Sequence, residues 1–150
     1  MKDGRDLLLS MQQYTGSERL FRHSLVRAFT YTEGVHFFAN NAGGDAYWLL
    51  DILATEPAVR QQVLGEADGC GFASVRLKVV GNQADLTVDD GNGNVKYMRH
   101  IDMTDCPARP VTQSDPEGVW LFFIEPNQLG DGTVCMTMMW PSERLSLIHI

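Results

Sequence analysis

No apolar run in this sequence approaches the ~18 residues that cross a bilayer, and the opening Met1-Lys2-Asp3-Gly4-Arg5-Asp6 leads into only three leucines. That pattern excludes a membrane-spanning helix and argues against a secretory leader. Cysteine is scarce: Cys70, Cys106 and Cys135 are odd in number, widely spaced and without a C-x-x-C pair. Neither a disulfide framework nor a zinc knuckle is encoded, and a reducing, cytoplasmic setting is expected. Positive charge is short as well. Twelve Lys and Arg stand against nineteen Asp and Glu, a formal net charge of −7, and no basic cluster occurs. Affinity for a nucleic-acid duplex rests on neutralised phosphates, so direct duplex binding is excluded. The acidity suits contact with a basic protein surface, or solubility alone.

The common reactive motifs are also missing. There is no G-x-S-x-G, Walker loop or G-x-G-x-x-G, and Gly69-Cys70-Gly71 lacks the third glycine and precedes a strand pattern. His23, His36, His100 and His149 show neither H-x-x-x-H nor H-E-x-x-H spacing, so no metal site and no cofactor are expected. Asp90-Gly91-Asn92-Gly93-Asn94 begins like a calcium loop, but Val95 stands where that loop needs glycine and Ile101 where it needs an acid. A hairpin turn is the expectation there.

What is present is an ordinary globular composition, 44% hydrophobic and 21% charged over 150 residues, enough to bury one core. Thr15-Gly16-Ser17-Glu18 fits a capping box ahead of Leu20, Phe21, Ser24, Leu25 and Ala28, which predicts a first helix carrying Arg22 and His23. Thr30-Tyr31-Thr32-Glu33 repeats the box before Val35, Phe38, Ala39 and Ala42. Ala46, Leu49, Leu50, Leu53 and Ala54 form a third stripe that ends at Glu56-Pro57, and Pro57 opens a short helix through Leu64. Leu7, Leu8, Leu9 and Met11 add a turn or two.

From Gly71 the period changes to two. Ala73, Val75, Leu77 and Val79, then Leu86 and Val88, then Val95, Tyr97, Arg99 and Ile101 predict a meander turning at Gly81-Asn82 and at Asp90–Gly93. Residues 102–117 read as an irregular connection. Val119 to Ile124 reads as a strand covered on both faces, and Thr133 to Trp140 follows through Gly130-Asp131-Gly132. The expected fold is α+β, with N-terminal helices packed on a C-terminal antiparallel sheet of about five strands. Leu145-Ser146-Leu147-Ile148-His149-Ile150 matches no earlier register. It is what CTG TCT CTT ATA CAC ATC encodes, a transposon end used to tag DNA for sequencing. Residues 145–150 therefore read as translated adapter, leaving 1–144 as a single domain.

Two clusters carry the candidate chemistry. Arg22 and His23, with Tyr47, Trp48 and Asp51, are read in two ways: an Arg22–Asp51 ion pair between helices, or a cleft in which Arg22 and His23 grip an anion while Tyr47 or Trp48 stacks on a planar group. Adjacent Tyr and Trp on a helix cannot both point at one core, so one is expected at a pocket wall. The alternative reactive cluster is His100 and Asp102 on one strand face with Cys106 close behind.

Several stretches occur together in order: Tyr14-Thr15-Gly16-Ser17-Glu18, Arg22-His23, Tyr31-Thr32-Glu33-Gly34-Val35, Ala46-Tyr47-Trp48-Leu49-Leu50-Asp51, Ile101 with Thr104-Asp105-Cys106-Pro107, and Pro141-Ser142-Glu143. In these the chain resembles a family of small uncharacterised bacterial, plasmid and phage proteins, a domain of unknown function. Cys106 stands where that family usually has an aromatic residue, and the segment from Pro110 to Thr133 is longer than is usual for it. The resemblance implies a phage or mobile-element context rather than an activity, and the small size and missing catalytic motifs lead to the expectation of an accessory protein acting by binding. It would counter host defence by blocking a host defence protein or by sequestering a signalling nucleotide, a small anionic ligand. A small nucleotide-directed hydrolase using His100, Asp102 and Cys106 is the alternative. A homo-oligomeric module in which a partner covers Val119 to Ile124 is the third reading.

Overall fold

The computed structural model describes residues 3–15, 19–65 and 71–144. Cys70, His149, most of the Thr15–Glu18 box and the adapter-like segment 145–150 lie outside the described residues. Helix α1 (Gly4–Met11) starts where the Asp3 carboxylate accepts from the Asp6 amide, and it buries Leu7, Leu8 and Met11.

The first departure from expectation follows. The segment predicted as the first helix is a hairpin, β1 (Leu20–Arg22) and β2 (Phe29–Thr32), paired antiparallel with Phe21 opposite Tyr31 and Arg22 opposite Thr30. The imidazole of His23 makes the turn: its Nδ1 accepts from the amides of Leu25 and Val26 at 3.1 and 3.0 Å. Leu25, which the helical reading places on an apolar stripe, is 84% exposed. Tertiary pairing overrides the local pattern, because β2 is held on its other edge by a parallel ladder to the last strand.

Helix α2 (Glu33–Asn41) is capped by Thr32, two residues later than the expected box, with its side chain accepting from the Val35 amide. Helices α3 (Tyr47–Thr55) and α4 (Pro57–Leu64) fall where the apolar stripe and Pro57 put them. The meander is also as read: β3 (Ala73–Val80), β4 (Gln83–Asp89) and β5 (Val95–Ile101) are antiparallel neighbours. Asp90 closes the β4–β5 turn by accepting from the Asn92 and Asn94 amides, while Gly91 and Gly93 adopt φ of 89° and 88°. The aspartate thus spends its oxygens on the turn, and these bonds, led by that from the Asn94 side chain, hold it below the usual carboxylate range.

Strand β6 (Trp120–Gln128) runs past its expected end at Ile124, and β7 (Val134–Met139) pairs with it, before a 3-10 turn at Pro141–Glu143. Pro126 is accommodated because β3 pairs with β6 only as far as Ile124, so the missing N–H falls beyond that ladder. Among the described residues the strands form one seven-stranded sheet in the order β1-β2-β7-β6-β3-β4-β5. The architecture is α+β, but the sheet is mixed rather than an antiparallel set of about five strands. The added hairpin enters through the parallel β2–β7 pair. Val119 to Ile124 is not a free edge awaiting a partner, since β6 is paired with β3 on one side and β7 on the other.

The helices cover one face. Val75, Leu77 and Val79 join Leu49, Leu53 and Val63 in a continuous buried cluster, whereas Arg76 and Lys78 on alternate positions are exposed. Phe38 of α2 packs edge-on against Trp120 and Phe122, with ring centroids 5.2 and 5.0 Å apart. Among the described residues no helix is long and apolar enough to cross a membrane.

Candidate functional site

Trp48, Asp51 and Ile52 are spaced i, i+3 and i+4 on α3, so they share one helix face, and that face is one wall of a cleft of about 1080 Å³. The facing wall comes from the far end of the sheet: Asn82 in the β3–β4 turn, Arg99 and Ile101 on β5, and Met103 with Cys106 beyond it. Odd-numbered positions of β5 point to the helix side, where Tyr97 and Ile101 pack on the core, and Arg99 is carried with them.

The irregular segment after β5 is tied down at each step. The Thr104 amide donates to the Asn82 carbonyl at 2.8 Å, the Cys106 amide to Thr104 Oγ1 at 3.1 Å, and the Trp120 indole N–H to the Pro107 carbonyl at 2.8 Å. Asp105 accepts from the Gly44 amide at 2.7 Å, which joins this segment to the loop leading into α3. Gly43 is required beside it: its φ is +72°, and a Cβ there would collide with Asp105.

The first candidate cluster is split by the fold. His23 Nε2 and Asp51 Oδ1 are 2.7 Å apart. Because two backbone amides donate to Nδ1, that nitrogen carries the lone pair, and the ring hydrogen sits on Nε2 and is donated to Asp51. Asp51 is therefore partnered by His23 and not by Arg22. Arg22 is exposed on β1, opposite Thr30, and its charge bears on Asp131 instead. Hydrogen bonds from Thr133 come first in holding the Asp131 carboxyl below its ordinary value, and the Arg22 guanidinium adds to them. Tyr47 turns the other way from Trp48 and donates its hydroxyl to Asn40 Oδ1 at 2.9 Å. Of the five residues, Trp48 and Asp51 line the cleft and His23 backs it.

The second cluster is separated too. His100 lies on the alternate face of β5 from Arg99, with Nδ1 2.7 Å from Asp85 and Nε2 3.5 Å from Asp102. The bond to Asp85 raises the imidazole above its ordinary value. Cys106 is on the cleft side, 2% exposed, with its thiol 3.6 Å from the Pro107 carbonyl. Burial first, and then Asp105, push that thiol up to about 12, so it stays protonated at neutral pH. Among the described residues no three His, Cys, Asp or Glu side chains are grouped to hold a metal ion.

Arg99, Asn82 and Met103 carry no motif that marks them in the sequence. The signal for Arg99 is its alternation with Tyr97 and Ile101, which puts it on the helix-facing side of β5.

A two-layer α+β protein with a well-built cleft between α3 and the end of a sheet is thus the class that fold and site define. The chain matches the family of unknown function DUF6876 over residues 5–144 and belongs to it. No curated protein and no solved structure matches it. Four of the stretches that carry the family resemblance meet in two pairs. Thr32 and Gly34 bind Glu143 at 2.6 and 3.1 Å, and His23 binds Asp51.

Proposed function

We propose that this protein acts by binding, taking a small planar ligand with one anionic group into the cleft between α3 and β5. The observation that carries this is the cleft itself: about 1080 Å³, walled by Trp48, Ile52, Ile101 and Met103, with Arg99 as the cation among the residues that line it. A mostly apolar cavity with a few convergent polar groups is the usual form of a small-molecule site. Trp48 supplies a face for stacking and Arg99 a partner for an anion. A protonated Cys106 thiol, set on the other side of the sheet from His100, favours binding over the hydrolase reading.

In this reading the protein is a cytoplasmic accessory factor of a phage or mobile element that counters host defence by holding a signalling nucleotide, its net charge of −7 keeping it off nucleic-acid duplexes. Thermal-shift measurements with a panel of mono- and cyclic nucleotides test it. A binder should raise the melting temperature of the wild type and leave Trp48→Ala and Arg99→Ala variants unmoved. A panel without any shift, together with no cleft ligand in a fragment screen, overturns the proposal.

A further inference from the structure

The α3 wall of the cleft holds a carboxylate that is oriented from behind. Asp51 is 64% exposed at its side chain, and an aspartate that open would ordinarily rotate freely. Here Oδ1 is bound at 2.7 Å by Nε2–H of His23, whose own side chain is 5% exposed and whose Nδ1 is occupied by the Leu25 and Val26 amides. The imidazole cannot turn without losing all three bonds, so it holds Oδ1 in place and restrains the carboxylate.

That bond uses one lone pair of Oδ1 and leaves the second, with both of Oδ2, for a ligand. A carboxylate only accepts, so the group it selects must present N–H or O–H donors, and among planar ligands an edge with two neighbouring N–H groups matches its two oxygens. Trp48, one helical turn earlier on the same face, offers a stacking surface to such a ring. Arg99 on the facing wall is available to a phosphate. We infer that the cleft selects a guanine-type purine nucleotide, with the ring N–H and the exocyclic NH₂ paired to Asp51, the base on Trp48 and the phosphate on Arg99. This inference rests on the binding reading above and names its ligand class. Adenine turns a ring acceptor toward the carboxylate, and hypoxanthine offers one N–H instead of two.

Titration calorimetry of the full chain with GMP, IMP and AMP tests it. GMP should bind at least about tenfold more tightly than IMP, and AMP more weakly still, because an unmatched polar edge in a built site is costly. In Asp51→Asn the amide oxygen keeps the His23 bond and the NH₂ faces the ligand, so the preference for GMP should vanish or reverse. Circular dichroism should show an unchanged melt. Equal binding of the three nucleotides, or a GMP preference that survives Asp51→Asn, overturns the inference and leaves the binding reading in place. So does failure of all three while other cleft ligands, lost in Trp48→Ala, are found by ligand-observed NMR. No cleft ligand of any kind overturns both.

Discussion

Glu143 is fully buried and accepts three hydrogen bonds: from the Thr32 hydroxyl at 2.6 Å, the Trp140 amide at 3.0 Å and the Gly34 amide at 3.1 Å. One side chain thereby ties the end of β2, the first turn of α2 and the 3-10 turn after β7. A carboxylate at a helix N-terminus is also favoured by the helix dipole. Glu143→Ala would leave a hydroxyl and two amides without partners, and should cost roughly 3 kcal/mol or more in urea unfolding. Gly34→Ala should be destabilised by about 1–3 kcal/mol in the same assay, since its Cβ would sit 2.5 Å from Glu143 Oε1. Burial raises the Glu143 carboxyl above its ordinary 4.5, against the opposing pull of its hydrogen bonds. A raised carboxyl binds its proton more tightly in the folded chain, so its contribution falls as pH rises from 4.5 through the raised value. The deficit of Glu143→Ala should accordingly be largest on the acid side of that window and shrink as pH rises.

At the scale of elements, the turn of the β1–β2 hairpin is built on one side chain. His23 accepts two turn amides and donates to α3, so His23→Ala should lower stability by about 2–3 kcal/mol, read from the urea midpoint. Leu25→Ala, two residues on at an 84% exposed site, should change it by under about 0.5 kcal/mol. A helical reading of this segment predicts the reverse, because it buries Leu25. The hairpin was partly legible: Phe29-Thr30-Tyr31-Thr32 alternates aromatic with β-branched residues, a strand composition, but it overlaps the cap of α2 and follows a run with helical spacing. Strands β3 to β5 were legible because apolar residues recur at alternate positions through most of each, between glycine or aspartate turns. Of the cleft, Trp48 and Asp51 could be found from their place on one helix, whereas the wall carrying Asn82, Arg99 and Met103 is joined to it only by folding.

Across the whole molecule, the sheet ends in two different edges. β1 is three residues long, which limits what it can template, and β5 is seven residues long with Lys96, Arg99 and His100 along it. The bond to Asp85 raises His100, so its positive charge persists further into the neutral range than that of a free histidine. Charges on an edge discourage pairing with a second copy, and the exposed Val95 and Met98 each stand next to one of them. Replacing Lys96 and His100 together by valine should promote self-association, seen as an increase in solution mass by light scattering. An unchanged mass would mean that the edge is protected in another way.

Local chemistry in the sequence determined the helices α2 to α4, the meander, the tight turn at Asp90 and the absence of the common catalytic and metal motifs. Each of these depends on neighbours within a few residues, where periodicity, caps and turn glycines act directly. Tertiary structure alone decided the parallel β2–β7 pairing, the conversion of an expected helix into a hairpin, and the exchange of Arg22 for His23 as the partner of Asp51. Those outcomes come from contacts between segments far apart in the chain. Their free energy exceeds the small local preferences that a sequence pattern records.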